Sequence, residues 1–332
     1  MSAPQPLAQR VFQRLDAGRV AGWQSGEALA KGLDVTRAAV WKAVEQLREL
    51  GVGLDAQTNK GYRLAPGVSA LSDELIGARL TPDVRAQIET LRVEWSVDST
   101  NTALLESPPP PPHRAHVLLA EHQFGGRGRR GRGWVAPPGG AVCLSLAWSY
   151  ADMPADLSAL SLVVGLCVAD ALHELGIESK LKWPNDVVTE RGKLGGILIE
   201  MRAEAGGPVH VVVGIGINVR LDADARAAVA ATGNRADDIG AQADVPDRNV
   251  LVASLLAQLV PALAHFPRAG LGPHLAAWQE RDALRDHEVR VENAGEITRG
   301  RACGIDAHGA LLVETRAGVQ RFVSGEVSVR VE

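Results

Sequence analysis

The chain has 332 residues, 46% apolar and 22% charged, with a formal net charge of −4. This is globular composition, with length for two or three domains, and it excludes a uniformly basic nucleic-acid binder. Residues 1–65 nevertheless hold nine Lys and Arg against six Asp and Glu, leaving −7 on the rest, so a basic unit sits on an acidic body and suits a DNA partner at the N-terminus.

Residues 7–16 carry apolar side chains at helical spacing. Ser25 predicts the N-cap of a second helix bearing Glu27 and Leu29, and Thr36 that of a third. In the third helix Val40, Val44, Leu47 and Leu50 form one apolar stripe, and Arg37, Trp41, Lys42, Glu45 and Arg48 lie off it. Residues 51–64 alternate weakly around Asn59-Lys60-Gly61-Tyr62, a hairpin sequence. Helix, turn, helix and wing is the winged helix-turn-helix pattern, placed at 1–65. Residues 36–50 are then the recognition helix, with Ser25, Thr36, Arg37, Trp41 and Lys42 at the DNA side. Trp41 is bulky for reading a base edge and suits the backbone or sugar.

From about 70 to 280, strands are predicted over 93–97, 117–121, 142–148, 181–183, 196–200 and 209–215. Helices are predicted over 157–175, 251–263 and 271–278. Early strands with helices between and after them suit an α+β sheet layer. Two segments read as connectors: the proline run Pro108 to Pro112, stiff and exposed, and Ala228 to Val245, which has no clear period. Residues 284–332 alternate in short strands separated at Asn293-Ala294-Gly295 and His308-Gly309, as in a small β-barrel. Cys143, Cys167 and Cys303 are far apart without metal-ligand spacing, as expected of reduced thiols in a cytoplasmic protein. No run reaches the roughly 18 apolar residues of a membrane span. The most apolar stretch, 157–175, is broken by Ser158, Ser161, Gly165, Asp170 and His173 and reads as a buried helix.

Four segments carry chemistry. The first is Gly126-Arg127-Gly128-Arg129-Arg130-Gly131-Arg132-Gly133-Trp134. Glycines let main-chain N–H groups turn toward an anion, and arginines offer planar paired donors to phosphate or carboxylate. Four crowded guanidinium groups repel one another until an anion neutralises them. The same composition fits an RNA-binding Arg/Gly segment, but a place between strands favours a substrate loop. The second is Lys182-Trp183-Pro184-Asn185-Asp186, a strand-end lysine before a proline turn. Such a lysine can stabilise charge growing on a phosphate or simply lie at the surface. Asp186 could bind Mg²⁺, orient Lys182 or cap the turn. The third, Gly214-Ile215-Gly216-Ile217-Asn218-Val219, lacks the final glycine of a dinucleotide loop, and no clear helix follows, so a Rossmann site is rejected. A tight glycine turn presenting Asn218 to a base edge remains open. The fourth, Asp98-Ser99-Thr100-Asn101, is a helix N-cap or a set of groups for a small polar ligand, and Gln123 could serve that ligand.

Together and in this order these segments, with Lys193-Leu194-Gly195-Gly196-Ile197-Leu198, resemble the biotin protein ligases over essentially the whole chain. The winged block narrows the resemblance to the bifunctional form that also represses the biotin operon. The resemblance implies an α+β fold in three domains. These are a winged helix-turn-helix (1–65), a catalytic domain of the class II aminoacyl-tRNA synthetase/biotin ligase type (70–280) and an SH3-like β-barrel (284–332).

It further implies that Ser99, Thr100, Asn101, Gln123, Arg127, Gly128, Arg129 and Lys182 bind biotin. Arg129, Arg130, Arg132, Trp134, Asn185 and Asn218 would bind the nucleotide, with Lys182 and Arg129 catalytic and Glu326 and Arg330 linked to nucleotide use. ATP with Mg²⁺ and biotin would be substrates, with no tightly bound metal. A biotin carboxyl carrier protein and operator DNA would be partners of a ligand-promoted homodimer. A non-enzymatic ligand-sensing regulator and a lipoate-attaching relative are the alternatives. The lysine segment argues against the first and the arginine run against the second.

Overall fold

The computed structural model describes residues 5–203, 207–231, 235–293, 296–323 and 327–331. Leu7–Ala17 (α1), Gly26–Leu33 (α2) and Arg37–Glu49 (α3) precede a hairpin of Leu54–Gln57 (β1) and Gly61–Leu64 (β2). Ser25 Oγ accepts the Ala28 N–H and Thr36 Oγ1 the Ala39 N–H, each at 3.1 Å, so both expected caps start their helices. Val40, Val44 and Leu47 are buried with Val11, Phe12, Leu15 and Leu29 in a core of their own. Leu50, at the end of the stripe, is only half-buried.

The central unit opens with two short capped helices, Asp73–Gly77 (α4) and Pro82–Gln87 (α5), which are too short to show a period in sequence. There follow Ile88–Val97 (β3), Thr100–Glu106 (α6), Ala115–Gln123 (β4), Ala141–Tyr150 (β5), Leu160–Glu174 (α7), Lys180–Lys182 (β6) and Asp186–Val188 (β7). Lys193–Ala203 (β8), Val209–Asn218 (β9), Ala223–Ala231 (α8), Arg248–Ala269 (α9) and Leu275–Glu280 (α10) complete it. The strands make one sheet in the order β3-β4-β5-β9-β8-β7-β6. Only β3–β4 is parallel, joined by the α6 crossover.

Strand alternation sends Leu144, Leu146, Val213 and Ile215 to a core with α7 and α9, and Leu118, Ala147 and Val212 to the opposite face under α6. Residues 157–174 and α9 have the length and mean hydropathy, 1.5 and 1.7, of a membrane span. Neither is an unbroken apolar run, since Asp170 and His173 interrupt the first and Ser254, Gln258 and His265 the second. Both helices pack on the sheet and on each other as core.

Glu288–Asn293 (β10), Glu296–Ile305 (β11), Leu311–Thr315 (β12), Gly318–Phe322 (β13) and Val327–Val331 (β14) form an antiparallel sheet in the order β13-β12-β11-β10-β14. The predicted turn at 293–295 falls partly outside the described residues. Val289, Val291, Ala302 and Val313 continue the central core. Trp183 donates its indole N–H to Gly309 O at 3.0 Å, and Leu181 exchanges main-chain hydrogen bonds with Arg281 and Ala283. The C-terminal sheet is thereby tied to the strand that ends in Lys182.

A buried ion pair holds the N-terminal joint. Arg248 meets both Glu121 oxygens at 2.9 and 2.6 Å and donates to the carbonyls of Ala141 and Ser69. Glu121 also accepts the Leu71 N–H at 2.6 Å. A buried charge is tolerable only when its hydrogen bonds are satisfied in this way.

Candidate active site

A pocket opens on the α6 face of the sheet, where β4, β5, β8 and β9 present Gln123, Cys143, Ser145, Gly196, Gly214, Gly216 and Asn218. The first turn of α6 closes one end. Ser99 is both the N-cap of α6, accepting from Thr102 N at 3.4 Å, and a pocket residue. The two readings of that segment therefore hold together. Thr100 and Asn101 follow, both buried. Gln123 Oε1 accepts the Thr100 N–H at 2.7 Å. Ser145 Oγ lies 2.7 Å from Thr100 Oγ1 and 2.6 Å from Asn101 Oδ1. This end is polar and uncharged.

The other end is cationic. Residues 126–134 fold as a narrow hairpin: Trp134 N donates to Gly126 O at 2.8 Å and Gly128 N to Arg132 O at 2.7 Å. Arg130 and Gly131 take positive φ at its tip, a conformation open to glycine and costly elsewhere. Arg129 Nη1 donates to Asn185 Oδ1 at 3.3 Å, while Asn185 Nδ2 donates to Ile197 O. Asn185 thus holds an arginine of the loop. Arg127 is bonded to the Thr102 hydroxyl and lies 3.9 Å from Glu200. Burial lowers the pKa values of Lys182 and Arg129. For Lys182 the neighbouring Asp186 opposes this, and Lys193, Arg330 and Arg132 reinforce it.

Trp134 stands at the wall between loop and sheet. Its buried indole N–H finds no acceptor among the described residues beyond the Cys143 thiol, and Lys193 Nζ lies 5.8 Å from its ring centre. Beneath it, burial pushes the Cys143 thiol up to about 12, so it is a neutral surface and no nucleophile.

The sequence reading of 214–218 as a glycine turn is corrected. Gly214 and Gly216 lie inside β9, and the glycines make room for side chains. A Cβ on Gly216 would meet Trp134 at 2.4 Å, and one on Gly214 would meet Asn101 Oδ1 at 2.3 Å. A helix, α8, does follow after a short gap, but an antiparallel strand is no Rossmann turn. Asn218 commits its amide N–H groups to the carbonyls of Lys193 and Asp237. Asp237 belongs to the segment from 228 to 245, which therefore does more than connect, since Val229 also lines the pocket. Pro110 is buried and accepts from Ser149 Oγ at 2.9 Å, pinning an otherwise exposed proline run.

All pocket residues expected from sequence line this one cavity. Arg330 lines it too, and Glu326 lies outside the described residues. Three contributors had not been singled out. Ser145 could have been found as a polar residue within the apolar strand Val142-Cys143-Leu144-Ser145-Leu146. Lys193, 2.5 Å from Asp186, stood inside a noted motif without a role. Glu200, which accepts from Asn101 at 2.9 Å, carries no sequence signal. In the winged unit, Arg37, Trp41 and Lys42 are exposed on α3, whereas Ser25 and Thr36 use their oxygens as caps. The wing adds Arg63 and Lys60, stacked on Trp23 at 4.6 and 5.8 Å.

Known proteins match this arrangement along its length. The biotin/lipoate A/B protein ligase family matches residues 94–218, the biotin protein ligase C-terminal domain residues 286–330, and an HTH domain residues 24–63. The chain belongs to the biotin protein ligase family. Within it, the chain is 34% identical to the bifunctional ligase/repressor BirA of Escherichia coli (strain K12), over 93% of both proteins. It is 35% identical to the biotin–[acetyl-CoA-carboxylase] ligase of Mycobacterium tuberculosis, over 80% of this chain and 97% of that one. The biotin protein ligase from Aquifex aeolicus in complex with biotin and ATP superposes with a TM-score of 0.61 at 28% identity, covering 74% of this chain and all of that one.

Proposed function

We propose that this protein activates biotin with ATP and transfers it to a lysine of a biotin carboxyl carrier protein, and that it also represses transcription in response to biotin. One observation carries the first part: a single cavity joins an uncharged hydrogen-bonding end at Ser99, Thr100, Asn101, Gln123 and Ser145 to a cationic end at Lys182, Lys193 and Arg129–Arg132. A ligand with a neutral polar head and a carboxylate fits it lengthwise, with the carboxylate delivered to the phosphate side.

In the first step a biotin carboxylate oxygen attacks the α-phosphorus of MgATP, the bond to the pyrophosphate oxygen breaks, and biotinyl-AMP forms. In the second, the acceptor lysine nitrogen attacks the anhydride carbonyl, AMP departs and the nitrogen loses a proton. Lys182 and Arg129 offset the repulsion between the two anions in the first step. Arg127 and the main chain at Gly128 border biotin. Arg130, Arg132, Trp134, Asn185 and Asn218 border the nucleotide. Bringing the reactants together and stabilising charge is most of the task, which explains a pocket of cations without a nucleophile. Incubation with ATP, biotin and a carrier domain should give a streptavidin-positive carrier. Labelling by lipoate and not by biotin would refute the assignment.

The repressor reading rests on the exposed Arg37, Trp41 and Lys42 of α3 and on β8, whose pairing with β7 ends at Gly196. Ile197 is bonded to Asn185 through both its N–H and its carbonyl, and the rest of that edge, Leu198 to Ala203, can pair with a second copy in a ligand-promoted dimer. The domain limits 1–65, 70–280 and 284–332 and a cytoplasmic location belong to the same proposal. Operator binding titrated with and without biotin and ATP tests it, and equal affinity in both conditions would sink it.

A further inference from the structure

Asn101 is held from behind. Its Nδ2 donates to the Leu198 carbonyl at 3.2 Å and to Glu200 Oε2 at 2.9 Å, both on β8. Two acceptors around one nitrogen fix which end of the amide is which. The amide oxygen is thereby turned to Ser145 Oγ, 2.6 Å away.

That orientation governs the Ser145 proton. Ser145 and Thr100 bring one hydroxyl hydrogen each to three contacts: Ser145 with Asn101 Oδ1 at 2.6 Å, Ser145 with Thr100 at 2.7 Å, and Thr100 with Gln123 Oε1 at 3.0 Å. Both amide oxygens can only accept, and Gln123 Oε1 already takes the Thr100 main-chain N–H. The Ser145–Asn101 contact is the shortest and claims the Ser145 proton, since an amide oxygen can only accept. Ser145 therefore donates to Asn101 and has no proton left for Thr100, whose own hydroxyl hydrogen goes to Gln123 Oε1 or to Ser145. The Thr100 oxygen keeps its lone pairs for a ligand N–H.

We propose that Glu200 is a positioning residue of the biotin pocket. By fixing the Asn101 amide it commits the Ser145 proton to Asn101 and leaves the Thr100 oxygen free to accept a ligand N–H group. This rests on the reading of the pocket as biotin's. The Glu200 carboxylate is not part of the pocket wall and acts through Asn101. Without it only Leu198 O holds the amide. A reversed amide would donate to Ser145 and turn the Ser145 proton to Thr100, occupying one of the two Thr100 lone pairs and weakening its contact with a ligand N–H.

The test uses the full-length protein, wild type, Glu200→Ala and Glu200→Gln. Biotin binding is measured by calorimetry without nucleotide, and adenylate formation is measured with biotin and ATP titrated separately. Glu200→Ala should weaken biotin binding and raise its KM about tenfold, with kcat and the KM for ATP unchanged. Glu200→Gln keeps an oxygen for Asn101 and loses only the half-exposed ion pair with Arg127, so biotin binding should return to within about fivefold of wild type. Unchanged biotin affinity in Glu200→Ala overturns the proposal. A loss that glutamine does not rescue also overturns it, since the amide contact would then not be the cause. A wild-type protein that fails to bind biotin would overturn the pocket reading instead.

Discussion

Alanine at Gly216 and alanine at Gly214 should damage different substrates. Neither glycine has positive φ, so the change is one of space and not of backbone strain. A Cβ at 216 would lie 2.4 and 2.5 Å from two indole carbons of Trp134, and one at 214 would lie 2.3 Å from Asn101 Oδ1. Trp134 is half-buried and on a loop, so the ring can move out at Gly216→Ala while the strand stays. Overpacking of this kind costs about 1–3 kcal/mol, and placed wholly on ligand binding that is roughly 5- to 150-fold. The KM for ATP should rise in that range with the KM for biotin little changed. At Gly214→Ala the obstructed group is Asn101, so the KM for biotin should rise instead. Pyrophosphate exchange with one substrate varied and the other saturating separates the two, and thermal unfolding checks the fold. An unchanged KM for ATP in Gly216→Ala, or equal rises in both constants, would refute the assignment of Trp134 to the nucleotide end.

Lys182→Ala should slow adenylate formation on the order of a hundredfold without unfolding the protein, as judged by circular dichroism. Since burial lowers the Lys182 pKa, its charge is lost on raising the pH before that of an exposed lysine. The kcat/KM for ATP should accordingly fall on the alkaline side below the usual lysine range, and Lys182→Arg should move that limb to higher pH. Arg129→Ala should let biotinyl-AMP escape and label bystander lysines, read by streptavidin blot against an added non-substrate protein. Glu121→Ala should destabilise by about 3–5 kcal/mol, because it strands Arg248 in the interior. Denaturant unfolding followed by tryptophan fluorescence measures this, and a shift no larger than that of a surface mutant would contradict it.

The sequence showed the winged unit almost completely, because its signals are local: Ser25 and Thr36 cap helices that begin one residue later, and Val40, Val44 and Leu47 repeat at helical spacing. The central strands were also visible, though short, since β5 and β9 are continuous apolar runs buried on both faces. What failed was a dipeptide-scale inference. Gly214 and Gly216 look like a turn in sequence because glycine usually marks one. Here their role is set by Asn101 and Trp134, which lie more than eighty residues away and become visible only when β9 passes under them. Asn185 and Asn218 were legible as site residues but not in what they touch. Each spends its amide nitrogen on main-chain carbonyls of other segments. Glu200 was invisible for the same reason, since an acidic residue on an exposed-looking strand carries no mark until its partner is known.

The charge of the pocket explains why so many cations were needed in so small a space. Among the described lining residues, Arg127, Arg129, Arg130, Arg132, Lys182, Lys193 and Arg330 face a single carboxylate, Asp186. That carboxylate is already bonded to Lys193. Such an excess is unfavourable in the empty protein, and it adds to burial, the larger cause, in lowering the Lys182 pKa. A triphosphate and a carboxylate entering together would offset most of that excess, and on the proposed reading Lys182 would then be stabilised as a cation where the two anions must approach. On that reading, binding of the nucleotide would complete the charge state that the chemistry uses.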